Sequence, residues 1–380
     1  TQMLLLSVLF VLIPLVLSTD QLVFVQTLFR HGDRTPTGTY PTDPYQEDFW
    51  GVPWGELTTT GMKQEFLQGQ RLKRLYVDKE QFVSAKYSRY ETTIRSCDAP
   101  RCIESASAQM AGFYSGSPTH PNDLPDWPSN WTPMPIHTVP HNEDRELEAG
   151  TDCKRSDALT VERVLKPSFL DFIASNWKII ADIIMHSGGG VEADFDTLQH
   201  IWGAIGIEKG VYNLTLPDWI TDELYDGLGA AIEEGTDYVD GGAGFNYPED
   251  TELLRLRSGF LLKEWINNLN SAMSGNGLKY HAYSAHDSTI TGLLLTLGAK
   301  ENVIGKANPG YASTVTCELW KRDDGFYVKF MYSDDAYSEF AAITRFITGC
   351  PEYDDFCPIS SFLDRSQKYI PQSANECNAA

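Results

Sequence analysis

The chain has 380 residues, 42% of them hydrophobic and 12% aromatic, which is more length than one typical domain uses and enough apolar material for a large core. Its formal net charge of -22 excludes nucleic acid and anionic membranes as expected partners. The apolar content likewise excludes a disordered chain.

In chain order, residues 3–18 are almost wholly apolar and end in small or polar residues before Asp20, the pattern of a secretory leader too short to span a bilayer. No second apolar stretch of spanning length follows, so no membrane anchor is expected. Leu22, Val23, Phe24 and Val25 read as a short buried strand. After it comes Arg30-His31-Gly32-Asp33-Arg34-Thr35-Pro36, a histidine between two arginines at the end of a strand. Arginine offers a rigid fork of donors that fits phosphate oxygens, so this run reads as an anion pocket holding a nucleophile. In so acidic a chain the two arginines form a local positive island. Gly32 allows close backbone approach there.

Apolar spacing over residues 58–76 predicts a helix, a second strand leads through Thr93 and Ile94 into Arg95, and residues 102–114 predict another helix. Residues 116–142 are proline-rich and irregular. Helical stretches over 161–185, 195–205 and 220–234, with no strand between them, read as an inserted cap. A long helix (253–272), a strand (278–283), a helix (288–297) and a hairpin (314–320 with 326–332, turning at Asp323-Asp324-Gly325) complete the chain. The expected fold class is therefore α/β, a doubly wound and mostly parallel central sheet with helices on both faces and an α-helical cap. Its expected divisions are a leader over 1–19, a core over 20–118 and 250–380, and the cap over 119–249.

The seven cysteines of a chain with a leader predict disulfides, with at least one thiol left over. Asn130-Trp131-Thr132 and Asn213-Leu214-Thr215 are glycosylation sequons in such a compartment. No CxxC, HExxH or Walker loop is present, so neither a metal nor another cofactor is expected in the chemistry.

The first motif, taken with Ser284-Ala285-His286-Asp287-Ser288-Thr289 far downstream, resembles the histidine acid phosphatases, a branch of the histidine phosphatase superfamily. The likeness also takes in Leu57-Thr58-Thr59-Thr60-Gly61-Met62, Ile94-Arg95-Ser96-Cys97-Asp98, Ile136-His137-Thr138-Val139-Pro140, Asn213-Leu214-Thr215-Leu216-Pro217 and Gly349-Cys350-Pro351, so it spans nearly everything after the leader. It implies that His31 attacks phosphorus to form a phosphohistidine, that Arg30, Arg34 and Arg95 hold the phosphate together with His286, and that Asp287 protonates the leaving group. It implies pairing of Cys153 with Cys377 and of Cys350 with Cys357. Cys97, Cys102 and Cys317 remain over, with a local Cys97 to Cys102 bridge left open and Cys317 read as a buried thiol. Asp33 reads as a loop residue rather than an acid, His137 and His141 as packing, and Trp202 as core or cavity wall. The substrates implied are small phosphate monoesters, the location a secreted or lysosomal one, and the assembly a homodimer. Two other classes stay open: a member that binds small ligands without turning them over, and a phytase, which would want a strongly basic cleft.

Overall fold

The computed structural model describes residues 20–378 apart from 118, 120, 122, 129, 130 and 189–193, so the expected leader and the sequon at Asn130 lie outside the described residues. The elements run β1 (Gln21–Arg30), α1 (Glu47–Trp50), α2 (Thr59–Lys73), β2 (Thr92–Ser96) and α3 (Pro100–Phe113). The helices α4 (Lys154–Val164), α5 (Pro167–Ser175), α6 (Trp177–His186), α7 (Phe195–Ile205), α8 (Asp222–Val239) and α9 (Thr251–Met273) come next. The chain ends with β3 (Tyr280–Ala285), α10 (Asp287–Leu297), α11 (Lys300–Ile304), β4 (Thr314–Arg322), β5 (Gly325–Ser333), β6 (Ala341–Ala342), β7 (Cys357–Pro358) and α12 (Ile359–Ser366).

The sheet order is β2-β3-β1-β4-β5-β6, with β7 also against β5. Only β2, β3 and β1 run parallel to one another; the pairings of β4, β5, β6 and β7 are antiparallel. The expectation of a mostly parallel sheet is thus corrected to a mixed one. The tight turn between Arg322 and Gly325 leaves no room for the crossover that parallel strands require.

Helices cover both faces. On one, Phe24 and Leu28 of β1 pack with Leu261, Trp265, Leu293 and Phe330 beneath α9 and α10. On the other, Leu22, Val25 and Phe29 pack with Leu72, Met110 and Phe113 beneath α2 and α3. Strict alternation would put Leu22 with Phe24, but a bulge between them turns Leu22 to the opposite face.

Helices α5 to α8 gather around a separate apolar cluster that includes Phe169, Ile183, Ile201 and Leu228. The single helix expected over 161–185 is three helices. Pro167 has no N–H to continue α4 and instead opens α5, and Asn176 separates α5 from α6. A disulfide between Cys153 and Cys377 ties the start of α4 to the C-terminal segment, and Cys350 pairs with Cys357, while Cys97, Cys102 and Cys317 are free and buried.

Register sets the site. Because β1 and β3 are parallel with Arg30 opposite Ala285, the residues that follow, His31 and His286, leave the sheet side by side at its C-terminal edge. Ligands in open α/β sheets bind at that edge.

Candidate active site

His31 is 2% exposed and its backbone is clamped on both sides, its N–H donating to the Ala285 carbonyl at 3.0 Å and its carbonyl accepting from Ala312 at 3.2 Å. Its Nδ1 lies 2.9 Å from the Gly32 carbonyl. A carbonyl can only accept, so Nδ1 carries the proton and the lone pair sits on Nε2. The turn that imposes this is held from behind. A Cβ on Gly32 would stand 2.4 Å from the Gly61 carbonyl, and one on Gly61 would stand 2.2 Å from the Asp33 carbonyl, so the loop and the first turn of α2 touch backbone to backbone.

Three guanidinium groups surround the ring. Arg30 donates from Nη1 to the Pro309 carbonyl at 2.6 Å, pairs through Nη2 with Asp287 at 2.9 Å, and lies 4.2 Å over the Tyr311 ring. Arg34 donates to the Thr35 carbonyl at 3.0 Å. Arg101, in the first turn of α3, approaches His286 Nδ1 with Nη2 at 3.4 Å. Each of the three keeps a buried Nε–H without a protein partner. Burial first, then Arg30, Arg34, Arg101 and His286, push the His31 pKa well below the ordinary imidazole range. The imidazole therefore stays neutral in acid.

His286 caps α10, and its ring lies 5.6 Å from that of His31. Its Nε2 contacts Glu148 Oε1 at 3.2 Å, and Glu148 is placed by the Leu147 carbonyl accepting from Thr289 at 2.8 Å. Burial works against the imidazolium, but contacts with Cys97 and Glu148 outweigh it and raise His286 to about 9. Asp287, the first residue of α10, accepts from the Ser288 N–H at 2.8 Å. Burial raises its pKa; Arg30, Arg34, His286 and that N–H outweigh this and hold it below the usual carboxylate range. A helix N-terminus favours the same charge.

A cavity of about 520 Å³ adjoins this cluster. Arg30, Arg34, Asp287 and Tyr311 line its core side; Trp202 of α7, Tyr225 of α8 and Ile207 and Val211 of the π-helical turn Gly206–Val211 line the other. Arg257, the remaining cation in the lining, is paired with Asp240 at 2.8 Å.

With this geometry in view, residues 21–333 match the family model of the histidine phosphatase superfamily, branch 2. The chain belongs to that superfamily. It is 31% identical over 363 residues to the lysosomal acid phosphatase of Rattus norvegicus, covering 94% of this chain and 80% of that one, and 30% identical over 365 residues to the prostatic acid phosphatase of Bos taurus, covering 94% and 88%. Among solved structures, the Citrobacter braakii phytase superposes with a TM-score of 0.63 at 17% identity over 94% of this chain and 99% of its own. The multiple inositol polyphosphate phosphatase of Bifidobacterium longum gives 0.56 at 12% identity over 94% of each. At such identities these two likenesses speak to the fold alone.

Within this member of the histidine phosphatase superfamily, Arg30, His31, Arg34, His286 and Asp287 come together, and Arg95 does not join them. Its side chain, on the edge strand β2, forms ion pairs with Asp144, at 2.5 Å, and with Glu146. The arginine that reaches the cluster from this part of the chain is Arg101. Ile94 and Ser96 are buried on one face of β2, so Arg95 alternates to the other, whereas Pro100 starts α3 at the sheet edge and aims its first turn at the loop after β1. That start was the available signal, since proline favours the first turn of a helix. Arg101, Glu148 and Tyr311 are the residues sequence reasoning missed. Asp33 is no free acid: its Oδ2 accepts from Thr58 at 2.5 Å and from Tyr212 at 2.6 Å. His137 pairs backbone to backbone with β2, and His141 reaches Glu148 at 3.2 Å.

Proposed function

We propose that the chain is an acid phosphatase that hydrolyses small phosphate monoesters through a phosphohistidine on His31. The observation that carries this reading is the His31 Nδ1 to Gly32 carbonyl contact, which frees the Nε2 lone pair beside three guanidinium groups with unspent donors. Nε2 attacks phosphorus, a P–N bond forms, and the P–O bond to the alcohol breaks as Asp287 gives that oxygen its proton. Water then attacks phosphorus, Asp287 takes the proton back, and inorganic phosphate leaves. Arg30, Arg34 and Arg101, with protonated His286, balance the charge on the equatorial oxygens. Arg101 replaces Arg95 in this assignment.

The cavity favours a single phosphate on an organic group over a polyphosphate: beyond Arg30 and Arg34 its one further cation is committed to Asp240, and Trp202 and Tyr225 present aromatic surface. On this reading residues 1–19 direct the chain to a secreted or lysosomal location and residues 119–249 act as a cap. Asn213, exposed with a φ of 52°, carries a glycan.

The test is hydrolysis of p-nitrophenyl phosphate at about pH 5, where a neutral His31 and a protonated acid can coexist in the substrate complex. His31→Ala should lose several powers of ten in kcat and no longer trap phosphate on the chain in an alkaline quench. Undiminished turnover in that variant would reject the mechanism. Asp287→Asn should harm alkyl phosphates more than p-nitrophenyl phosphate, whose leaving group needs no proton; equal losses would reject the acid.

A further inference from the structure

Two free thiols lie against the imidazole of His286. Cys97 Sγ is 3.4 Å from Nε2 and Cys102 Sγ is 3.7 Å from Nδ1. All three side chains are buried, and the two sulfurs and one ring nitrogen lie within 4.8 Å of one another. Neither thiol is assigned a bond-making step in the chemistry proposed above.

We propose that Cys97, Cys102 and His286 form an inhibitory site for a soft divalent cation of the zinc class. Zinc bonds of about 2.3 Å to sulfur and about 2.0–2.1 Å to nitrogen, at a tetrahedral angle, put sulfur and nitrogen about 3.6 Å apart. Each contact is close to that separation but they run to different ring nitrogens, so an ion on one nitrogen needs the other sulfur to swing over, within a cluster whose three donor atoms lie within 4.8 Å of one another. The donors suit such an ion, since thiolate and imidazole select zinc over magnesium or calcium. Charge is consistent too. Two thiolates cancel a dication, so the nearby Arg101 meets no added positive charge. An ion on Nδ1 would leave Nε2 to Glu148, 3.2 Å away, a carboxylate then placed to orient the ligating imidazole from outside. Binding would immobilise the ring that otherwise holds phosphate, so an occupied site should lower turnover. The binding rests on geometry alone; only its effect on turnover rests on the phosphatase reading.

The experiment takes the full chain, purified without reductant loss and stripped with a chelator, and titrates it with zinc and with cadmium. Expected are one ion per chain by elemental analysis, an ultraviolet thiolate-to-cadmium charge-transfer band, and turnover reduced at least about tenfold and restored by chelator. Cys97→Ser and Cys102→Ser should each weaken binding at least about a hundredfold and leave a turnover that zinc no longer lowers. Should a variant fail to fold, the parent protein still decides: zinc must protect Cys97 and Cys102 from alkylation during partial denaturation, with the buried Cys317 thiol as the unprotected control. Absence of the charge-transfer band overturns the proposal, as does inhibition that persists in both variants or a Cys97 to Cys102 disulfide in the protein as secreted. A band without inhibition keeps the site and removes its inhibitory role.

Discussion

Replacing Arg101 and Arg95 separately by alanine distinguishes a residue that holds phosphate from one that holds the fold. A guanidinium about 4 Å from a phosphate charge is worth about 4 kcal/mol at an effective dielectric of about 20, so Arg101→Ala should lower kcat/KM about a thousandfold. Its thermal midpoint should hardly move, because Arg101 has no ion-pair partner among the described residues and its contact is with His286. Arg95→Ala should do the reverse. It strips the guanidinium from Asp144, whose side chain is 0% exposed, and breaking such a buried pair costs about 3–5 kcal/mol. Arg95 and Glu146 are partly exposed, which argues for the lower end, about 3 kcal/mol and a fall of about 4 °C in Tm. Restoring neutrality with Asp144→Asn in the Arg95→Ala background should recover part of that loss. The assays are kcat/KM and the inhibition constant of inorganic phosphate, each beside a thermal melt. A thousandfold loss in Arg95→Ala at unchanged Tm, with Arg101→Ala within tenfold of the parent, would refute the assignment of Arg101 to the phosphate.

The two disulfides close loops of very different length, with sequence separations of 224 and 7, so opening Cys153–Cys377 should cost about 5 kcal/mol and opening Cys350–Cys357 about 2.5 kcal/mol in denaturant titrations of serine variants. Equal costs would point to native-state strain or residual structure instead of chain entropy. Gly61→Ala, whose Cβ would stand 2.2 Å from the Asp33 carbonyl, should displace the His31 loop and lower kcat/KM at least about a hundredfold along with Tm; a variant normal in both would show that the loop is not braced there. Glu208 is fully buried, and burial followed by its contact with Asp43 raises its pKa to about 9. Its folded pKa exceeds its unfolded one, so its stability contribution is complete below about pH 4.5 and is lost as pH rises towards about 9, at up to about 1.4 kcal/mol per pH unit. Glu208→Gln should flatten the fall in urea midpoint between about pH 5 and 8, and an unchanged slope would count against a buried neutral acid.

The two histidine motifs are legible in sequence because each sits at the end of a parallel strand, where local pattern and topology agree on one place. Apolar runs reveal β1 and β3, and helical spacing reveals α2, α3, α9 and α10, so the edge where His31 and His286 meet follows from sequence. Arg95 and Arg101 show where that reading stops. Both flank the same strand-to-helix junction, and which one faces the pocket depends on the face of β2 and on the axis of α3, neither of which a string of residues specifies. Glu148 and Tyr311 come from irregular segments with no period to read, held only by tertiary contacts such as Thr289 to the Leu147 carbonyl. Pro167 marks a helix break within 161–185, but the apolar spacing runs across it and hides the boundary. The Cys97, Cys102 and His286 cluster unites residues 189 positions apart and follows no metal-ligand spacing.

The Asp287 to Arg30 pair bears on the remaining step of the proposed mechanism. In the free protein the carboxylate is paired with a guanidinium at 2.9 Å, receives the Ser288 N–H and sits at a helix N-terminus, all of which favour its charged form. A general acid must instead carry a proton. Substrate resolves the conflict, because a phosphate dianion is the stronger competitor for Arg30 and brings negative charge beside the carboxylate, and both changes raise its proton affinity. Burial already works in that direction, and a phosphate that engages Arg30 would weaken what opposes it. Protonation of Asp287 is thus linked to phosphate binding, and an acidic medium supplies the proton that the complex takes up. In the free protein the same medium leaves His31 neutral, because burial and the surrounding cations disfavour its imidazolium. On the proposed mechanism, acid and nucleophile thus take opposite protonation states only once substrate is bound, which is what an imidazole nucleophile working at low pH requires.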